Sequence, residues 1–167
     1  KKDNDVELKV LLIKKYNSLT YYDSALNFGR SNLLVARKQL DTLTMAKMLL
    51  NIGNTYYYLN EHNQALNHWK ECLNIAPFSK PYYQVVENCT HNMGVFKFET
   101  ELKFDEAEMY FLKAIEYGKL VGDKTGQNLN LHYRLLGSLY EMRKQFKPAD
   151  SLFNLIINSY KNVNDYS

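Results

Sequence analysis

Residues 49–77 read LLNIGNTYYYLNEHNQALNHWKECLNIAP, and their side chains specify a helical hairpin. Leu49, Ile52 and Tyr56 fall on one helical stripe with Gly53 beside them, so a second helix can approach closely where Gly53 has no side chain. That second helix carries Ala65, Trp69 and Cys72 on its matching face, with Trp69 placed to fill the space the glycine leaves. Asn60-Glu61-His62-Asn63 is the polar turn between them, and Asn60 is expected to cap the incoming helix. Pro77 follows the apolar run, where a helix has to stop.

The same marks recur along the chain. Ala25, Ala65, Ala107 and Ala149 are 40, 42 and 42 residues apart, and Gly53, Gly94 and Gly137 are 41 and 43 apart. Trp69, Phe111 and Phe153 each stand four residues after their alanine, and Tyr22, His62, Phe104 and Phe146 stand three before. Through Ile52-Gly53, Tyr56, Ala65, Trp69 and Pro77 the chain resembles the tetratricopeptide repeat family. Its period exceeds the family's usual ~34 residues, which is similar to the longer-helix subgroup found in bacterial peptide-pheromone receptors and in sensor regions of bacterial signalling proteins. The resemblance spans nearly the whole chain. It implies an all-α solenoid, a right-handed superhelix of about four antiparallel helix pairs in one array over residues 1–167, with repeats near 5–40, 42–77, 80–121 and 124–161.

Composition limits the function classes. A 46% hydrophobic content over 167 residues is enough to bury a core. The net charge of +3 comes from 21 basic and 18 acidic residues that are interspersed, which predicts neither nucleic acid nor membrane as a partner. Fourteen tyrosines against one tryptophan suit half-exposed helix faces, either as packing or as the lining of a groove. Cys72 and Cys89 make no disulfide framework; Cys72 stands where other repeats put Asn32, Ala114 and Ile156, and reads as a small buried residue. No apolar run is long enough for a membrane span, and no signal peptide is present. Cytoplasm and periplasm both stay open. A start at Lys1 without methionine is compatible with a segment of a longer protein.

Taken in order, the first repeat is degenerate: Gly29 holds the place of Trp69 and its phenylalanine counterparts, leaving a hole unless Phe28 or Leu33 swings in. Pro77 to Pro81 is the sharpest break, with Ser79 as a candidate cap for the next helix. Gly94 to Ala107 is 13 residues where the equivalent spans are 12, so one residue is inserted and Phe96 or Phe98 is expected to replace Lys97 in the core. The run Gly118 to Gly126 lacks the spacing and the preceding strand of a phosphate-binding loop, and Gly122-Asp123 reads as a helix end. In the last helix Leu152, Phe153, Leu155, Ile156 and Tyr160 form a broad apolar side, with self-association through Phe153 and Ile156 as one reading of it.

Catalytic and metal patterns are missing. His68 and Cys72, or Cys89 and His91, do not supply a zinc ligand set, and no nucleophile elbow, His-Glu-x-x-His or glycine-rich strand-to-helix turn occurs. The reading is therefore non-enzymatic, without metal or cofactor. If the first helix of each pair lines a concave groove, as the resemblance implies, that groove presents Lys47, Leu50, Asn51, Asn54, Tyr57, Tyr58, Asn88, His91, Asn92 and Arg134. Asparagine is a mediocre helix former, so a ridge of amides asks for a reason. An amide both donates to and accepts from a peptide backbone, and in related peptide-binding members asparagines on this face do so. Asn54 and Asn92 match the two asparagines of the family's chaperone-tail clamp, but Leu50, Leu131 and Leu135 stand where its basic residues would.

The expected function is a scaffold that binds a peptide or partner protein in the groove. The alternative is a sensory segment of a bacterial histidine kinase or transcription regulator. A third reading is an assembly element acting through the last helix.

Overall fold

The computed structural model describes residues 2–122 and 127–164. Among these the chain is all-α, a solenoid-type stack of antiparallel helix pairs: α1 (Lys2–Ser18), α2 (Tyr22–Lys38), α3 (Thr42–Tyr58), α4 (His62–Ile75), α5 (Tyr83–Val95), α6 (Phe104–Val121), α7 (Gln127–Met142) and α8 (Phe146–Asn164). A 3-10 turn, Lys80–Tyr82, precedes α5, and a π-helical segment, Phe96–Thr100, extends it. Asp123 and residues 124–126 of the rejected phosphate-loop stretch lie outside the described residues; Gly122 ends α6 in the left-handed region at φ 72°. The chain divides into two compact units, Lys1–Cys89 and Thr90–Ser167, where the sequence suggests a single array over 1–167. In stacked hairpins each element touches only its neighbours, so contacts thin out repeatedly along the chain.

Each recurrent aromatic turns out to be a helix's first residue: Tyr22, His62, Phe104 and Phe146 open α2, α4, α6 and α8. The alanine three places on makes the first helical bond back to the preceding residue, as Ala65 N–H does to the Glu61 carbonyl at 3.1 Å. The turn before it closes on backbone groups. Glu61 N–H donates to the Tyr56 carbonyl at 2.9 Å and Asn60 N–H to the Tyr57 carbonyl at 3.0 Å, around Asn60 at φ 60°. Asn60 is therefore the left-handed residue that ends α3 and not the cap of α4, whose N-cap is Glu61 without a side-chain bond. Thr20, Leu102 and Lys144 take the same conformation five residues before their alanines. Ser79 sits at the N-cap of the 3-10 turn, also without a side-chain bond.

In the first unit α3 packs on both α4 and α2, and Leu49, Ile52 and Tyr56 of α3 and Ala65, Trp69 and Cys72 of α4 are all buried. A Cβ on Gly53 would lie 2.5 Å from Trp69 Nε1. The first pair reverses the sizes. Ile13, fully buried, stands 40 residues before Gly53, and Gly29 stands 40 before Trp69. At the expected hole beside Gly29, Ile52 of α3 and Ile13 of α1 come to 2.8 and 3.6 Å from a hypothetical Cβ. In the second unit, Phe111 sits against Gly94 and Phe153 against Gly137, each 2.7 Å from the missing Cβ. Phe111, Ile115, Tyr133, Leu135, Leu136 and Leu139 form that unit's core, with Phe98, Leu152 and Ile156 against it.

The inserted residue is absorbed by the π-helical segment, whose wider turn takes one extra residue without breaking the helix. Lys103 N–H reaches back six residues to the Lys97 carbonyl at 2.8 Å, where the equivalent bond elsewhere spans five. Phe96 becomes the buried residue, and Lys97 turns to Glu101 and Glu106 at 2.7 and 2.8 Å. Burial works against the Lys97 charge, yet the two carboxylates outweigh it and raise its pKa above the ordinary lysine value.

Candidate functional site

Because α3 spends one face on α4, its opposite face is what remains for a ligand, and much of that face is taken by α1. The Thr55 hydroxyl lies 3.1 Å from Asn17 Oδ1 and 3.0 Å from the Asn51 carbonyl. Asn51 Nδ2 donates to the carbonyl of Lys47 one turn back, at 2.8 Å. Leu50 and Asn51 are accordingly buried, at 6% and 2% exposure. Lys47, expected to face a ligand, pairs with Glu7 of α1. First helices of successive pairs lie side by side, so a face that looks open in one hairpin is partly closed by the next.

Where α1 ends, a cleft of about 460 Å³ opens. Lys14, Asn17 and Ser18 line it from α1, Tyr22 from α2, and Asn51, Asn54 and Tyr58 from α3. The rings of Tyr22 and Tyr58 stack at 6.2 Å and make one wall. Asn54 Oδ1 accepts from Trp69 Nε1 at 3.0 Å, so the packed indole fixes this amide at the cleft's edge. The lining holds one cation, Lys14, and no carboxylate. Of the two tyrosines assigned to the groove from sequence, Tyr58 lines the cleft, whereas Tyr57 leans on α4, 5.6 Å from the His62 ring and 5.8 Å from Trp69. Asn88 of α5 is half-buried. Lys14 and Ser18 escaped the sequence reading although they lie 40 residues before Asn54 and Tyr58; carrying the groove face back by one period finds both.

The other three expected residues belong to the second unit. His91 Nδ1 lies 3.0 Å from His132 Nδ1, with the rings 4.9 Å apart. One ring must donate and the other accept. Burial first, then the neighbouring His132 and Arg134 charges, push the His91 pKa down to about 4. Arg134 is exposed on α7 and Asn92 is half-buried. His91 is thus occupied by a histidine partner. A larger cleft of about 730 Å³ lies by the α7–α8 turn, but its carboxylate, Glu108, already accepts from the Tyr140 hydroxyl at 2.8 Å and from Arg143. Burial, followed by the Glu108 hydrogen bond and charge, pushes the Tyr140 pKa up to about 12. Among the described residues no group of three or more His, Cys, Asp or Glu is placed to hold a metal ion, and no helix is long and apolar enough to cross a membrane.

No family model and no curated protein matches this chain. Its fold is similar to that in the crystal structure of BtubC (BKLC) from P. vanneervenii, with a TM-score of 0.79 and 17% identity, over 100% of this chain and 67% of that one. At that identity the likeness bears on the fold alone, and it agrees with the all-α architecture.

Proposed function

We propose that the chain is a non-enzymatic, tetratricopeptide-type scaffold that binds an extended peptide, or a segment of a partner protein, in the cleft between α1 and α3. The cleft's chemistry carries the reading. Amides at Asn17 and Asn54 suit a peptide backbone, the Tyr22–Tyr58 wall suits an apolar side chain, and Lys14 without a carboxylate beside it favours an acidic one. Asn54 is held by Trp69 before any ligand arrives, which lowers the ordering cost of binding.

The test begins with peptides selected by display on the wild-type chain and measured by fluorescence anisotropy. Lys14→Glu and Tyr58→Ala, both at exposed positions, are each expected to weaken those peptides at least ~10-fold, which is about 1.4 kcal/mol, with unchanged helicity. Enrichment of acidic residues among the selected peptides should disappear when selection is repeated on Lys14→Glu. Equal affinity for wild type and both variants would remove the cleft from consideration.

A further inference from the structure

We propose that Cys72 and Cys89 are an oxidation site, forming an intramolecular disulfide that ties α4 to α5 across the proline-bounded break. The two side chains come from consecutive helices of the first unit and meet with their sulfurs 3.1 Å apart, both at 0% exposure. They are free thiols aligned in a short chain: Cys89 donates to Cys72 Sγ, and Cys72 donates to the Ala46 carbonyl at 3.2 Å. A disulfide requires the sulfurs to close by only ~1 Å, within reach of small side-chain rotations. A merely space-filling role would be met by the alanine that stands at Ala114 in the next pair, and needs no second sulfur opposite. Asn88 adjoins Cys89, so the bond would also fix that part of α5 against α4.

The chemistry is thiol–disulfide exchange with a small-molecule disulfide or an oxidised dithiol protein, written RSSR. One cysteine thiolate attacks RSSR and releases RS⁻; the other then attacks the mixed disulfide and releases the second. Overall, two thiols and RSSR give one protein disulfide and two RSH, so the protein loses two hydrogens and the added disulfide is reduced. Burial, with the hydrogen bond to Cys72, raises the Cys89 pKa well above its ordinary value, and both sulfurs are closed to solvent, so a bulky disulfide does not reach them in the folded chain. Exchange therefore proceeds while the chain folds, or when the connection between Ile75 and Lys80 opens.

The experiment refolds the denatured, reduced chain in a mixture of reduced and oxidised glutathione. The expected product has a mass lower by two hydrogens, no thiol that reacts with maleimide after denaturation, and a thermal midpoint several degrees above that of the dithiothreitol-treated protein. Cys72→Ser and Cys89→Ser should each refold, retain one thiol and show no dithiothreitol-dependent midpoint. Recovery of folded wild type with both thiols titratable would overturn the assignment. So would glutathione adducts in place of the internal bond, or an oxidised form that melts no higher than the reduced one.

Discussion

Gly53 and Trp69 are the clearest case of one residue dictating another. A Cβ on Gly53 would meet the indole Nε1 at 2.5 Å and the Ala65 carbonyl at 3.2 Å, and that same nitrogen is held by Asn54 Oδ1 at 3.0 Å. Gly53→Ala should therefore destabilise the fold by about 1–3 kcal/mol, read from urea unfolding at constant m-value. A loss below the ordinary helix-propensity gain from alanine would mean that the two helices do not approach as closely as this. The Ile13 and Gly29 pair satisfies the same packing requirement in reverse, with the large side chain on the first helix. The large side chain is exchanged between the two helices, which explains why the first repeat looks degenerate in sequence yet places Ile13 and Ile52 against Gly29.

Among the elements, the π-helical segment and α8 depart most from a simple repeat. The π turn exists because Gly94 and Phe111 are 17 residues apart where Gly53 and Trp69 are 16 apart. Deleting the exposed Glu99 should convert Phe96–Thr100 to regular helix and leave Gly94 facing Phe111 in the spacing the other pairs use. The expected outcome is a folded protein whose circular dichroism is unchanged and whose thermal midpoint stays close to wild type; deleting Tyr57 from α3 should unfold the first unit. Loss of folding in the Glu99 deletion would show that the wider turn is a packing requirement in its own right. In α8, the two residues singled out for self-association face inward: Phe153 packs on Gly137 and Ile156 on the second unit's core. Substituting them tests the hairpin, whereas Phe146, Leu155, Ile157 and Tyr160 are exposed on that helix.

For the molecule as a whole, stability is expected to fall on acidification through the His91–His132 pair. The folded pKa of His91, about 4, lies below its ordinary value of 6.5, so its contribution is present above pH ~6.5 and is lost as the pH falls towards 4. His132 and Arg134, both from α7, are the groups whose charge adds to this cost. Between pH 7 and 4.5 wild type should lose about 2 kcal/mol more than His91→Gln, measured by urea unfolding at both pH values. Equal losses would mean that burial of His91 carries no such cost.

The sequence by itself determined the all-α hairpins and their partners, because the spacing of small and bulky residues is a local, periodic signal: Gly53 with Trp69, Gly94 with Phe111, and Gly137 with Phe153 could all be paired from their numbers alone. It also located the inserted residue near Gly94, though not the wider turn that accommodates it. Only the tertiary structure decided which polar side chains on α3 stay open to a ligand. Lys47 and Tyr57 satisfy the same helical geometry as Asn54 and Tyr58, but α1 and α4 claim the first two, while Asn51 lines the cleft with its Nδ2 spent on the Lys47 carbonyl. The meeting of Cys72 with Cys89 was hidden for the same reason: periodicity fixes where a side chain points within its own hairpin, while what stands opposite depends on the next helix laid against it.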